Sequence, residues 1–368
     1  MMESCVLIII TGSVAGLVAG HLMFRSDYCM VGMLRDLFMF RNATMLRFLL
    51  VQLGLTLLLL ELTRLSGGLS YVPPPLMKNA NLSSVVGGAV FGLGMVLTGS
   101  CVVGCLYKTG AGNVLGLCAF LSMIAGATLY AEISGWWKQT TAGWGVTEQV
   151  TVAQSLGVDS LWVSVPLLAL WLIGVAVWQR RGKLVVSSVA QGYIQPWQTA
   201  VGMAVITVVL CVLTGMPMGI TTMYVKMGAW VEQLIIPDHV AVTAYFTGQG
   251  LYYVPPFMHQ QVAGGAGPQM DAIVALQLSV IVGILAGAFC SAKRVGEFCW
   301  TYRVPRTQYA LSIAGGLLVG LGARMAPGCN VWHLMGGLPF LAWNSILFAV
   351  GLVPGLWLGS KILLSRLA

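Results

Sequence analysis

The chain has 368 residues, of which only 8% are charged (19 Lys and Arg, 11 Asp and Glu), against roughly a quarter in a soluble globular domain. With 58% hydrophobic residues and a mean hydropathy of +0.86, it carries more apolar surface than one water-exposed globule can hide and reads as an all-α polytopic membrane protein. A disordered chain, a collagen, a disulfide-stapled module and a nucleic-acid binder are excluded, and the surplus of +8 reports membrane orientation rather than a nucleic-acid partner.

The first segment, MMESC, has no basic stretch ahead of its apolar run, so it reads as a retained span and not a cleaved signal peptide. Apolar windows of about 20 residues predict about nine spans, near 5–23, 46–63, 84–106, 112–131, 161–178, 197–215, 272–291, 308–326 and 341–359. After the first comes FRSDYCMVGMLRDLF, Phe24 to Phe38, and after the sixth comes GMPMGITTMYVKMG, Gly215 to Gly228. Each is too polar and too short to cross, yet too apolar for a solvated loop, which suits a short re-entrant helix buried in protein. In the third and eighth spans, TGSC (Thr98 to Cys101) and APGC (Ala326 to Cys329) put a Gly or Pro break directly before a cysteine. The long polar connections 132–160 and 236–271 carry Trp and Tyr suited to interfacial anchoring and otherwise read as plain loops.

Fourteen of the 19 basic residues fall in alternate connections on one side. Arg64, Lys78, Lys138 and Lys226 fall on the other, and Arg324 lies inside a span. The positive-inside rule therefore predicts an N-terminus outside and a C-terminus in the cytoplasm.

An internal repeat follows from GGAVFGLGMVLTGSC at Gly87 and GGLLVGLGARMAPGC at Gly315, which align without a gap at an offset of 228 and superpose Cys101 on Cys329. The third span runs inward and the eighth outward, so the copies are inverted. The implied plan is a first repeat at 1–135, a linker with one span at 136–195 and a second repeat at 196–368, all in a single membrane domain. Inverted repeats with interrupted helices are a recurrent transporter design. The glycines alone also fit a simple packing seam between helices.

Nine cysteines, with no metal-like CxxC pair, argue against a disulfide framework and a zinc site, and no cofactor is expected. Cys5, Cys118, Cys211, Cys290 and Cys299 read as small apolar packers, and Cys105 stays ambiguous. Cys29, Cys101 and Cys329 differ because each sits at a helix break. There, exposed backbone N–H groups and a positive helix end can hold an anion, and a thiol that stays neutral in apolar surroundings adds a soft donor without repelling it. That chemistry suits a small anion with a polarizable sulfur or selenium atom. A soft-metal transporter is the rival, although only His333 stands near one of these cysteines. A membrane sulfurtransferase forming a persulfide is another, but no base is evident beside a nucleophilic cysteine.

Arg324, one turn before Cys329 in an apolar span, is a functional candidate or a structural helix-end cap. Arg25, Asp27, Arg35 and Asp36 are candidates to pair within the first re-entrant segment, with Arg35 and Asp36 read as scaffolding. Lys108 either guides an anion or marks the inner side. Glu61 is the only hint of an intramembrane proton site. His21, His239, His259 and His333 show no ligand spacing.

Three motifs together, FRSDYCMVGMLRDLFMFR around Cys29, GGAVFGLGMVLTGSCVVGCLYKTGAG around Cys101 and GLGARMAPGCN around Cys329, resemble the YeeE/YedE family of bacterial inner-membrane sulfur transporters, whose better-understood members take up thiosulfate. GEF at Gly296 to Phe298, with Arg303, adds a weaker piece. The resemblance spans nearly the whole chain and implies a compact, hourglass-like helical fold with a narrow central path. It implies that Cys29, Cys101 and Cys329 pass thiosulfate along by transient S–H hydrogen bonds without covalent chemistry, in a permease and not an enzyme. Ser100, Asn330, Arg324, Arg25 and Lys108 complete the expected path. Two departures stand out: GSC replaces the usual GGC, adding the Ser100 hydroxyl, and VWHLMGGLPF follows the last cysteine, so Trp332 and His333 reshape the outer vestibule. The family also has members linked to selenium metabolism, and its partners include small cytoplasmic sulfur-carrier or rhodanese-like proteins.

Overall fold

A computed structural model describes all residues except 1, 189, 191, 257–259 and 368, so His259 lies outside the described residues. The chain is almost wholly helical. The first half forms α1 (Met2–Ser26), α2 (Met30–Met39), α3 (Thr44–Leu65), α4 (Ser83–Thr98), α5 (Val102–Gly110) and α6 (Val114–Thr141). A short α7 (Val152–Leu156) and the long α8 (Ser160–Arg180) link it to α9 (Pro196–Thr214), α10 (Thr221–Ile235), α11 (Pro237–Val242) and α12 (Ala244–Thr247). Then come α13 (Ser279–Arg294), α14 (Arg306–Met325) and α15 (Trp343–Leu367), with π-helical segments at Val274–Leu278 and Val331–Gly337. Local chemistry sets many of these ends. Asn113 caps α6 by accepting from the Gly116 N–H at 3.0 Å, Thr151 and Gln154 form a capping box on α7, and Pro196 opens α9. Gly99 and Gly215, at φ of +63° and +76°, end α4 and α9 in the left-handed region that glycine adopts without strain.

Among the described residues, eight segments are long and apolar enough to cross a membrane, so the chain is an all-α polytopic membrane protein. The span expected at 308–326 is the 20-residue α14, whose Gln308, glycines and Arg324 lower its hydropathy; it is clasped between α4 and α6. The expected third span splits into α4 and α5 at the TGSC break. Helix α6 runs to Thr141, well past the expected end at 131, because Ala131, Ser134 and Trp137 continue its buried face.

Packing runs along glycine seams. A Cβ at Gly16 or Gly20 of α1 would lie 2.4 or 2.3 Å from the Val280 or Ile284 carbonyl oxygen of α13, so the helices run parallel in backbone contact. Gly351 and Gly355 of α15 meet Val85 and Ala89 of α4 in the same way, and Gly126 of α6 meets Leu317 of α14. Gly87 and Gly94 of α4 face Ala326 and Gly315, which makes α4 antiparallel to α14. The packing pairs recur when the halves are exchanged: α4 on α15 mirrors α14 on α6, α1 on α13 mirrors α9 on α3, and α4 packs on its own counterpart α14.

The long connections are not plain loops. Strand β1 (Ala80–Asn81) pairs with β2 (Gly145–Thr147), and β3 (Gln249–Tyr253) with β4 (Val262–Gly265), all antiparallel. Lys226, expected in an outer connection, is fully buried in α10, where it donates to the carbonyls of Gly267 at 2.6 Å and Gln269 at 2.8 Å and pairs with Asp271 at 2.9 Å. It pins the loop after β4 to α10.

Candidate functional site

Each of the three break cysteines stands immediately before a helical segment. Cys29 is the N-cap of α2, Cys101 is the N-cap of α5 and accepts from the Gly104 N–H at 3.2 Å, and Cys329 precedes the π-helical Val331–Gly337. Cys101 and Cys329 are buried and Cys29 half-buried. The backbone reason is the same at each point: an extended or glycine residue interrupts the ladder and leaves N–H groups of the next turn without helical partners, although the Cys29 sulfur itself caps none of them. Cys329 faces the N–H groups of Val331, Trp332 and Ile220, so the start of α10 joins this break.

Two cavities flank the cysteines. One, of about 370 Å³, is lined by Gly328, Trp332, Ile220, Arg324 and Tyr245, together with Lys78, Lys138 and residues of β3 and β4. The other, of about 550 Å³, is lined by Arg25, Asp27, Tyr107, Lys108, Tyr193 and Glu297. They are walled by alternate sets of connections, and so open at opposite ends of the bundle. Cys329 adjoins the first cavity through Gly328, and Tyr107, at the edge of the second, is directed at Cys29. Cys101 lies beside Cys29 and the Asn330 amide. Tyr224, fully buried, sits among Cys101, Cys105 and Cys329 and donates to the Val102 carbonyl at 2.9 Å. Cys101 thus neighbours Cys29, and Tyr224 stands close to both Cys101 and Cys329.

The remaining expected residues divide. Arg324 reaches the first cavity, its guanidinium donating to the Tyr245 hydroxyl at 2.8 Å and to Thr222 at 3.1 Å, which holds the charge in place. Lys108 lines the second cavity while donating to the Gly99 carbonyl at 2.7 Å, so it also caps the end of α4. Arg25 donates to the Gly192 carbonyl at 2.6 Å and does not pair with Asp27. Arg35 and Asp36 do pair, at 2.9 Å, away from either cavity. Ser100 and Asn330 are buried at their breaks.

Other readings change. Cys290 and Cys299 are exposed, not packed, and Cys299 lines the second cavity. Glu61 is held by Arg64 at 2.7 Å and by Ser160, and Arg64 continues to Asp159 at 2.9 Å, which makes Glu61 part of an α3–α8 clasp. Both ring nitrogens of His333 are engaged, with the Ala326 carbonyl at 2.7 Å and Ser345 at 3.0 Å, so its imidazole offers no lone pair to a metal beside Cys329. Sequence patterns gave no signal for Tyr107, Tyr224 or Tyr245, since a tyrosine in an apolar helix is indistinguishable from a packing residue until its hydroxyl is placed.

The family described as sulphur transport matches residues 25–358. The thiosulfate transporter TsuA of Spirochaeta thermophila is 28% identical over 97% of this chain and 99% of its own length. That of Escherichia coli is 26% identical over 97% of this chain and 95% of its length. The probable transporter YedE of Salmonella typhimurium is 31% identical over 87 residues, 23% of this chain and 21% of its own. A match that runs from the first re-entrant segment to the last helix takes in all three cysteine breaks and both cavities, and on it the chain belongs to the sulphur transport family.

Proposed function

We propose that this chain is a permease that imports thiosulfate across a bacterial inner membrane. The observation that supports the reading is a set of three break cysteines, with Cys101 beside Cys29 and Cys329 next to Gly328 of the first cavity, between two cavities walled by opposite sets of connections. Two relatives that match 97% of the chain are named thiosulfate transporters, which supports the substrate. The anion meets a helix N-terminus at each break, with a thiol beside it. N–H groups stabilise its charge while S–H groups contact its terminal sulfur, and no bond to sulfur forms or breaks. Few full charges stand along this stretch, so nothing holds a doubly charged anion too tightly to leave.

The paired packing of the halves supports two inverted repeats, at 1–135 and 196–368, joined by the segment 136–195. With the N-terminus in the periplasm and the C-terminus in the cytoplasm, the Arg324 cavity faces the periplasm and the Lys108 cavity the cytoplasm. A small cytoplasmic sulfur-carrier or rhodanese-like protein is the partner that fits delivery on that side. The test is uptake of labelled thiosulfate into proteoliposomes, with sulfate, sulfite, sulfide and selenite as competitors. Uptake that protein-free liposomes match, or that sulfate suppresses as well as unlabelled thiosulfate does, would remove this reading.

A further inference from the structure

Two buried side chains close to Cys29 and Cys101 carry polar atoms that lack partners. Tyr107 is 3% exposed, and its hydroxyl, though directed at Cys29 and Asp27, reaches no hydrogen-bond acceptor or donor. Asn330 is fully buried; its Nδ2 donates to the Met30 thioether sulfur at 3.0 Å, a weak acceptor, and its Oδ1 has no partner. Leaving such groups dry and unpaired lowers stability, so each calls for a reason. They come from opposite halves of the chain, one on α5 and one beside Cys329, yet Asn330 faces Cys101 and Tyr107 faces Cys29. Both are neutral; the Tyr107 hydroxyl and the second N–H of the Asn330 amide can donate, whereas the unpartnered Oδ1 only accepts.

We propose that Tyr107 and Asn330 form a buried station that binds the oxygen atoms of the passing anion while the Cys29 and Cys101 thiols receive its terminal sulfur. This rests on the thiosulfate reading and adds to it the part of the site that recognises the oxyanion end. Thiosulfate is tetrahedral, with three hard oxygens and one soft sulfur. A hydroxyl and an amide suit the first, and thiols suit the second. Neutral donors bind the oxygens without the strong attraction of a Lys or Arg, which would trap the ion. Tyr107 also borders the second cavity, so the station adjoins that cavity.

The test compares wild type with Tyr107→Phe and Asn330→Ala, using thiosulfate as the probe. Losing one hydrogen bond to a charged ligand should raise the half-saturating thiosulfate concentration for uptake about tenfold in each variant. The unfolding midpoint of Tyr107→Phe without anion should stay level or rise, because an unpartnered hydroxyl has been removed, while its upward shift on adding thiosulfate should shrink. Unchanged half-saturation and an unchanged shift would overturn the station. So would a Tyr107→Phe protein that no longer folds, since the hydroxyl would then be holding helices together. If the wild type takes up no thiosulfate, the transport reading alone fails, because the shift measured on detergent-solubilised protein still tests the station.

Discussion

The two cavities are similar in kind but differ in charge, one basic and the other balanced. The cavity next to Cys329 is lined by Lys78, Lys138 and Arg324, and no carboxylate is among its described lining residues. The cavity next to Tyr107 sets Arg25 and Lys108 against Asp27 and Glu297. Clefts of one sign raise the local concentration of an oppositely charged solute, whereas a balanced cleft does not hold it. The difference teaches that the asymmetry of this molecule lies in its vestibules. The breaks themselves share one motif, but the residues seven positions past Cys101 and five before Cys329 are a lysine and an arginine whose counterparts at the offset of 228 are Gly336 and Val96.

The sharpest way to break that comparison is to remove what lies between the cavities. Cys101→Ala and Cys329→Ala should abolish thiosulfate uptake in proteoliposomes and Cys29→Ala should reduce it severely, while Cys118→Ala keeps it; equal rates in all four would dissolve the cysteine path. Next, Arg324→Gln should raise the half-saturating concentration about tenfold, as expected for a lost charge-assisted contact. Glu297→Gln at the balanced end should change it by less than about twofold, in line with a cavity that does not concentrate anions. A larger effect at Glu297 would reverse the assignment of collecting and releasing ends.

Structural controls give smaller effects. A Cβ at Gly126 would sit 2.2 Å from the Leu317 carbonyl oxygen, whereas one at Gly135 meets nothing within 4 Å. Gly126→Leu should therefore cost about 1–3 kcal/mol of stability and Gly135→Leu much less, as read from unfolding midpoints. Comparable midpoints would mean that the α6–α14 seam is not in backbone contact. The smallest effect concerns His239, outside the spans, whose pKa is raised above 6.5 by its hydrogen bond to Glu132 and by the charges of Glu132 and Glu232. The stability it adds is complete below pH 6.5 and is lost as pH rises through the raised folded-state value. His239→Gln should flatten the midpoint-versus-pH curve over that interval, and a curve parallel to wild type would show that the ion pair contributes nothing.

Much of this was legible in the sequence because its signals are local. The breaks at TGSC and APGC, the re-entrant segment at Cys29 and the Arg35–Asp36 pair depend on neighbours within one or two turns. Arg324, Lys108, Arg25 and Asn330 were picked out by charge or by place at a break, but what each touches depends on residues up to 300 positions away, as with Asn330 and Met30. What Lys226 touches depends likewise on a distant segment: its partners Gly267, Gln269 and Asp271 lie on a loop that folds back over α10. The loop 236–271, which patterns as a plain connection, builds a wall of the first cavity because two short strands pair across it.

The amino-acid order by itself determined that this chain crosses a membrane, where its helices break, and which thiols stand at the breaks, because apolar run length, glycine and proline act through the backbone of a single segment. Only the tertiary structure decided that Cys101 neighbours Cys29, that one cavity is basic and the other balanced, and that Tyr107 and Asn330 are buried beside the sulfurs with unpartnered polar atoms. Those facts depend on which helices approach closely enough to exclude water, and that is set by glycine seams between segments far apart in the chain.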